Sequence, residues 1–137
     1  MELEIVSDGN RLSAGYVVPE RPRGLAVLLH GIPSTAPPAL GDGGYPALAE
    51  RFALAGWAAL WVDMRGVRSS EGYFSIEGWV RDATTTLEFA RSQPEVRDLP
   101  AVFVGSSAGG AVATVATRRG ARVEGLALLA APASWVS

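Results

Sequence analysis

Four short apolar runs alternate along this chain with segments of helical periodicity, and this alternation limits the possible folds more than any other feature. The apolar runs are residues 25–30, 57–63, 101–105 and 123–132. The segments with helical spacing are residues 45–56, 75–94 and 107–119. Strand-length runs that are apolar on both faces are typical of parallel strands that are covered on both sides. The pattern predicts an α/β fold, a three-layer α/β/α sandwich with a mostly parallel sheet.

The N-terminal segment predicts a β-hairpin that precedes the alternating part. Two segments of alternating apolar and polar residues flank Asp8-Gly9-Asn10, and Pro19 ends the second one. An Asp-Gly pair between two such segments is a strong signal for a tight hairpin turn. With these two antiparallel strands the sheet has about six strands. No internal repeat or linker is visible in the 137 residues, so we expect a single domain.

Composition excludes several classes of function. The net charge is −2 and the charges are interspersed, so there is no electrostatic case for binding nucleic acid or an anionic membrane. The chain has no cysteine and one histidine, which excludes disulfides, thiolate metal sites and clusters of histidine ligands. We therefore expect no metal and no cofactor. The first ten residues lack the features of a secretory signal, and no apolar run approaches the ~20 residues of a membrane span, so we expect a cytoplasmic protein.

A candidate nucleophile lies between the third apolar run and the helical segment that follows it. Gly105-Ser106-Ser107-Ala108-Gly109 matches the pattern G-x-S-x-G, with Ser107 in the central position. In such a turn the serine has a strained backbone, and the glycines allow the strand and the helix to approach closely. The Ser107 hydroxyl then stands at a helix N-terminus, where the Ala108 N–H can stabilise a developing oxyanion. We predict that Ser107 is a nucleophile and that Ala108 is an oxyanion donor.

Three motifs in this order resemble the α/β-hydrolase fold family, especially its serine esterase, lipase and aminopeptidase-like branch. They are "LLHGIP", "VDMRGVRSSEG" and "VGSSAGGAVA", and the resemblance extends from about Gly24 to the C-terminus. It implies an incomplete α/β-hydrolase fold, a small acyl substrate, and a turn at His30-Gly31-Ile32 that makes the Ile32 N–H the second oxyanion donor. It also implies a structural His30 that binds loop backbone. The alternative is that His30, as the one histidine of the chain, is the base for Ser107.

The loop after the second apolar run contains several charged residues. We predict that Asp63 and Arg65 form a buried ion pair or anchor this loop, in preference to a catalytic role. Arg68 stands where many members of the family that this chain resembles have glycine, which indicates different packing of the loop. Asp42 is predicted to lie in a turn. The tryptophans are predicted to pack in the core or at its edge: Trp57, Trp61, Trp79 and Trp135.

The proton-transfer residues of a hydrolase are missing from the sequence. The family's triad runs serine, acid, histidine along the chain, but Ser107 is followed by one acid, Glu124, and by no histidine. Glu124 begins its strand, so it lies at the wrong edge of a parallel sheet. The last apolar run would also leave a hydrophobic sheet edge uncovered. We expect residues 1–137 to be the N-terminal part of one α/β-hydrolase domain that lacks the strands carrying the acid and the histidine.

Two functions follow from these observations. The first is a serine hydrolase of carboxylic ester or related acyl bonds, inactive or weak as this chain alone. Ester, peptide, thioester and lactone substrates all remain open. The second is a non-catalytic fragment that associates through its exposed sheet edge, either with a copy of itself or with a complementing C-terminal half.

Overall fold

A computed structural model describes residues 1–33 and 43–130 of the chain. The elements are β1 Glu2–Ser7, β2 Asn10–Val17, β3 Gly24–Leu29, α1 Gly44–Leu54, β4 Trp57–Val62, α2 Ile76–Arg91, β5 Ala101–Ser106, α3 Ala108–Arg118 and β6 Gly125–Leu129. They form one six-stranded sheet in the order β1-β2-β4-β3-β5-β6. Strands β4, β3, β5 and β6 are parallel, and β1 and β2 are antiparallel to their neighbours. The predicted mostly parallel sheet with an N-terminal hairpin is confirmed.

The hairpin turn has the geometry that its sequence predicts. Asp8 and Gly9 have φ angles of +50° and +79°, and they connect the paired residues Ser7 and Asn10. Two consecutive positive φ angles characterise the type I′ turn, whose twist matches that of the flanking strands. The turn therefore sets the register of β1 against β2.

Helices cover both faces of the sheet. Successive residues of a strand point to opposite faces, so Val27 packs with α2 and α3, whereas Leu28 packs with α1. The α2 and α3 side holds the larger core, which includes Trp79 and Phe103. The α1 side is smaller and centres on Ala49 of the helix. This arrangement is the predicted three-layer sandwich.

Helix boundaries agree with their sequence signals, with one difference in α1. The Ser75 side chain caps α2 by accepting the Gly78 N–H at 2.9 Å, in keeping with the preference for serine at this position. In α1, the helical spacing of residues 45–56 predicts one buried face with Leu48, Phe52 and Ala55. Leu48 and Phe52 pack on the sheet, but Ala55 is exposed just after the helix ends and does not contribute to that face.

The parallel register brings the ends of four strands to one edge of the sheet. Val62 of β4 pairs with Leu29 of β3, and Leu29 pairs with Gly105 of β5, which in turn pairs with Leu128 of β6. The segments that follow β4, β3 and β5 are the three motifs singled out in the sequence. They therefore leave the sheet side by side.

Glu124 lies at the opposite edge of the sheet, as predicted from its place at the start of β6. Its carboxylate accepts the Ala101 N–H at 2.6 Å and forms an ion pair with Arg91 at 3.4 Å. These contacts join the beginnings of β5 and β6. Glu124 is thus a structural residue, remote from Ser107.

The outer strand β6 exposes apolar side chains. Leu126, Leu128 and Leu129 are 39%, 44% and 57% exposed. Of the tryptophans, Trp79 is buried, and Trp57 and Trp61 are half-buried beside the α1 layer. Asp42 and Trp135 lie outside the described residues. Within residues 1–33 and 43–130, no helix has the length and hydrophobicity that a bilayer crossing requires.

Candidate active site

Ser107 occupies the sharp turn between β5 and α3. Its φ and ψ angles are +53° and −121°, a combination that costs free energy for any residue with a side chain. Its N–H donates to the Leu129 carbonyl at 2.8 Å, and its carbonyl accepts the Gly110 N–H at 2.9 Å. The residue is exposed at the carboxyl edge of the sheet. This is the strained strand-to-helix turn that the sequence predicts around Ser107.

Two glycines make this turn possible because other residues would collide there. A Cβ on Gly105 would lie 2.5 Å from the Gly109 carbonyl oxygen. A Cβ on Gly109 would overlap the Leu29 carbonyl oxygen and lie 2.5 Å from the His30 carbonyl oxygen. Helix α3 therefore packs directly on the backbone at the end of β3, which brings the segment after β3 against Ser107.

Gly31 is the residue of that segment that meets Ser107. A Cβ on Gly31 would lie 3.0 Å from the Ser107 Cβ and 3.5 Å from the Ala108 nitrogen. The Ala108 N–H, at the start of α3, has no acceptor among the described residues. Ile32 follows Gly31 and is exposed. The structure thus brings Gly31 against Ser107 and Ala108 at the sheet edge, and Ile32 is the next residue along the chain.

His30 uses both of its ring nitrogens in structural hydrogen bonds. Its Nε2 accepts the Met64 N–H at 2.9 Å, so Nδ1 carries the proton and donates to the Gly31 carbonyl at 2.7 Å. Burial lowers the pKa of His30, which keeps the ring neutral. Its ring also packs edge-on against Trp79 at 5.0 Å. His30 therefore has no free nitrogen to receive a proton from Ser107, which contradicts the alternative that it is the base.

Tyr45 is a neighbour of the turn that the sequence analysis did not identify. Its hydroxyl is hydrogen-bonded to the Ser106 side chain, and its ring centroid lies 6.3 Å from that of His30. Burial raises the pKa of Tyr45, which keeps the hydroxyl protonated. The one available signal was its position at the start of the helix after a Gly- and Pro-rich loop.

Arg65 belongs to a buried ion-pair network, but its partner is not Asp63. The guanidinium contacts Asp82 at 2.7 Å and Asp8 at 2.8 Å, and the Arg65 N–H donates to Asp82 at 2.9 Å. Trp79 Nε1 donates to the Arg65 carbonyl at 3.0 Å. The predicted pair between Asp63 and Arg65 is therefore wrong, because Arg65 turns toward α2 and the hairpin. Asp82 could have been recognised as a buried partner, because it is an acidic residue on the face of α2 that packs against the core.

Asp63 binds Arg68 instead. The Asp63 carboxylate accepts Arg68 Nη1 at 2.8 Å, and the Asp63 carbonyl accepts the Ser70 hydroxyl at 2.6 Å. Arg68 has a φ of +47°, a left-handed conformation that glycine adopts more readily. The different packing of the loop that Arg68 indicated stays a prediction, because position 68 has the backbone conformation that suits glycine. Asp63 serves as a loop anchor, which agrees with the second part of the prediction.

The exposed Ser107 is followed directly by the Ala108 N–H at the start of α3. A backbone N–H at a helix N-terminus is a group that can stabilise an oxyanion. Within residues 1–33 and 43–130, the carboxylates of Asp63 and Asp82 are held by arginines, and the single histidine is bound at both nitrogens. A group that would remove the serine proton is not present among them.

Comparison with known proteins identifies the family of this chain. The sequence profile of the family described as serine aminopeptidase, S33, matches residues 20–137. No curated protein matches the sequence.

Solved structures of esterases share the fold. A carboxyl esterase from Bacillus coagulans in complex with glycerol is 23% identical, with a TM-score of 0.74 over 93% of this chain and 43% of that one. Esterase PF2001 from Pyrococcus furiosus is 18% identical, with a TM-score of 0.78 over 96% and 49%. Est1E from Butyrivibrio proteoclasticus with bound ferulic acid is 22% identical, with a TM-score of 0.73 over 90% and 50%. The chain spans about half the length of these proteins. Because the family profile covers most of its residues, the chain belongs to the serine aminopeptidase (S33) family of α/β hydrolases.

Proposed function

We propose that this chain is the nucleophile-bearing part of a serine hydrolase that acts on carboxylic ester or related acyl bonds. The observation that carries the proposal is the strained and exposed Ser107, packed directly against Gly31 at the carboxyl edge of the sheet. In this proposal Ser107 attacks the carbonyl carbon of the substrate. The N–H groups of Ala108 and Ile32 bind the resulting oxyanion. Membership of the hydrolase family and the esterase activity named for two similar structures support it.

The proton of the Ser107 hydroxyl needs an acceptor during this attack. In the proposal, the acceptor histidine and its acid belong to a C-terminal part of the domain that lies beyond residue 137. The 137-residue chain retains only the nucleophile and the oxyanion donors. Such remnants keep a small part of the acceleration of a complete triad. We therefore expect its ester hydrolysis to be at least ~10³-fold slower than that of a complete triad enzyme.

A fluorophosphonate probe tests whether Ser107 is an activated nucleophile. The probe should label Ser107 of the purified chain, as identified by peptide mass spectrometry, and labelling should disappear in Ser107→Ala. The exposed Ser69 provides a matched control, since Ser69→Ala should leave the labelling unchanged. Hydrolysis of 4-nitrophenyl acetate by the same proteins gives the rate.

Two results would contradict parts of this proposal. Ordinary esterase efficiency that is lost in Ser107→Ala would show that the 137 residues contain their own base, and that the triad is complete without further residues. Labelling of Ser107 that stays at the level of Ser69 after prolonged incubation, in a chain shown by circular dichroism to be folded, would mean that the turn does not activate Ser107 and would favour the second function.

The second candidate function is association through β6, and the exposed leucines of that strand favour it. Leu126 and Leu128 are exposed on one face of the outer strand and Leu129 on the opposite face, and unpaired strand edges readily add a further strand. The occupant would be a complementing C-terminal half or a second copy of the chain. Concentration-dependent association in sedimentation, abolished by Leu128→Lys, is the expected result. A monomer at all concentrations would exclude self-association.

A further inference from the structure

Arg68 is anchored beside the proposed nucleophile. Its Nη1 lies 2.8 Å from Asp63 Oδ1, and Asp63 directly follows β4. The register of β4, β3 and β5 places Asp63 level with His30 and Ser106 at the carboxyl edge. Neighbouring strands are about 4.8 Å apart, so the Asp63 backbone is about 10 Å from that of Ser106. The guanidinium held by Asp63 is therefore within the span of a small substrate bound at Ser107.

The pair of Asp63 and Arg68 presents its positive side to solvent. The Asp63 side chain is 12% exposed, whereas the Arg68 side chain is 62% exposed. The carboxylate contacts Nη1, and the other guanidinium N–H groups have no acceptor within residues 1–33 and 43–130. A guanidinium has five N–H donors in a planar fork that matches a carboxylate. Arg68 can therefore bind a second carboxylate while it remains on Asp63.

Local conformation does not account for an arginine at position 68. Its φ of +47° is unfavourable for every residue with a Cβ, and glycine would adopt it at little cost. The side chain neutralises the nearly buried Asp63 carboxylate through Nη1. That contact uses one nitrogen of the guanidinium, so the rest of the planar fork stays available to a ligand.

The charge of Arg68 reaches the residues that surround Ser107. Burial lowers the pKa of His30, and the positive charge of Arg68 lowers it further. The same charge opposes the rise that burial causes in the pKa of Tyr45. Tyr45 is hydrogen-bonded to Ser106, and His30 precedes the Gly31 that contacts Ser107. Arg68 is therefore within electrostatic range of the site from the α1 side.

We propose that Arg68 binds a carboxylate on the acyl group of the substrate, so that the site prefers acyl substrates with a negative charge several bonds from the reacting carbonyl. This inference rests on the proposed function of Ser107. Arg68 acts as a specificity residue, because it contacts the substrate away from the bond that breaks. Asp63 positions the guanidinium and leaves its outer edge free for the substrate carboxylate.

A pair of esters that differ in one charge tests the inference on the 137-residue chain. The esters are 4-nitrophenyl hydrogen adipate, which is anionic, and 4-nitrophenyl methyl adipate, which is neutral. Acylation of Ser107 is followed by nitrophenolate release and by the mass of the Ser107 peptide. We expect the wild type to react about tenfold faster with the anionic ester, the effect of one charge-assisted hydrogen bond. The ratio should fall in high salt, because this contact is solvent-exposed.

The variants separate a substrate contact from a structural role. Arg68→Gln with Asp63→Asn removes both charges of the pair, keeps the net charge, and should bring the ratio of the two rates to about one. Arg68→Lys should retain part of the preference because it keeps the charge. Arg119→Gln is the control, since Arg119 is similarly exposed and paired and lies at the C-terminal end of α3, the end opposite to Ser107, and it should keep the full ratio.

The outcomes distinguish the inference from the proposed function. An unchanged ratio in the double variant, or an equal slowing of both esters, would overturn the role of Arg68 while Ser107 remains acylated. If, after prolonged incubation, neither ester modifies Ser107 of the wild type more than the exposed control Ser69, the proposed function is wrong and the inference falls with it. Circular dichroism of each variant confirms that it is folded.

Discussion

The backbone N–H of Met64 lies 2.9 Å from Nε2 of His30 and donates a hydrogen bond to it. The other nitrogen of the ring binds the Gly31 carbonyl at 2.7 Å. The one histidine of the chain thus joins the segments that follow β3 and β4. This contact holds Gly31 in place against Ser107, so His30 shapes the site without taking part in proton transfer.

The first prediction concerns the stability of the protein in mild acid. Burial lowers the pKa of His30 in the folded state below its ordinary value of 6.5, so the unfolded chain binds the proton more readily. Stability is therefore complete above pH 6.5 and declines as the pH falls below it. We expect the urea midpoint to decrease between pH 6.5 and about pH 5.5, above the range in which most carboxylates titrate.

The control for this prediction is His30→Gln, which cannot titrate in that range. Asp8, Glu71 and Glu77 also have lowered pKa values in the folded state, so their stabilisation is complete only above about pH 5.5 and is lost as the pH falls further. The variant should be less stable than the wild type at pH 7 and nearly independent of pH down to about 5.5. An equal slope in both proteins would rule out His30 as the cause.

The second prediction concerns the strain at Ser107. A φ of +53° with a ψ of −121° is unfavourable for serine and alanine and is readily adopted by glycine. Ser107→Gly should therefore be about 1 kcal/mol more stable than Ser107→Ala in urea unfolding. Both variants should lose labelling by the fluorophosphonate. Equal stability of the two would mean that the turn is relaxed in solution.

The third prediction tests the close contact between α3 and the end of β3. A methyl group at Gly109 would overlap the carbonyl oxygens of Leu29 and His30, which are backbone atoms that cannot turn away. Gly109→Ala should reduce the free energy of unfolding by at least about 2 kcal/mol, despite the better helix propensity of alanine. Gly125→Ala is the control, because its methyl would meet only a Val102 side-chain carbon at 3.4 Å. Its stability should hardly change.

The fourth prediction concerns the buried network of Arg65. Asp82 is fully buried and holds the guanidinium at 2.7 Å, so its removal leaves a buried positive charge with its main partner gone. Asp82→Ala should reduce the free energy of unfolding by about 3–5 kcal/mol. Glu77→Ala breaks the exposed pair with Arg119 and should have little effect. A small loss for Asp82→Ala would show that water reaches Arg65.

The fold could be predicted from sequence because its signals are local. Asp8-Gly9 requires two positive φ angles, the strand β3 is apolar at every position, and Ser75 supplies its own cap to α2. The turn at Ser107 was equally visible, since its glycines lie within two residues of the serine. Each of these features depends on residues that are adjacent in the chain.

The partners of the charged residues could not be predicted in the same way. Asp63 and Arg65 are two positions apart, yet Asp63 binds Arg68, and Arg65 binds Asp82 in another helix and Asp8 in the hairpin. The contact of Tyr45 with Ser106 likewise joins two elements that are distant in the chain.

The order of residues along the chain was thus sufficient to predict the secondary-structure elements, their succession and the position of the exposed serine. The packing of the elements decided which side chains meet there, that His30 is bound at both nitrogens, and that Arg68 is paired with Asp63. The physical reason is that turns and strands follow from the preferences of neighbouring residues. An ion pair or a buried hydrogen bond depends on the register and packing of elements that the chain connects only over long distances.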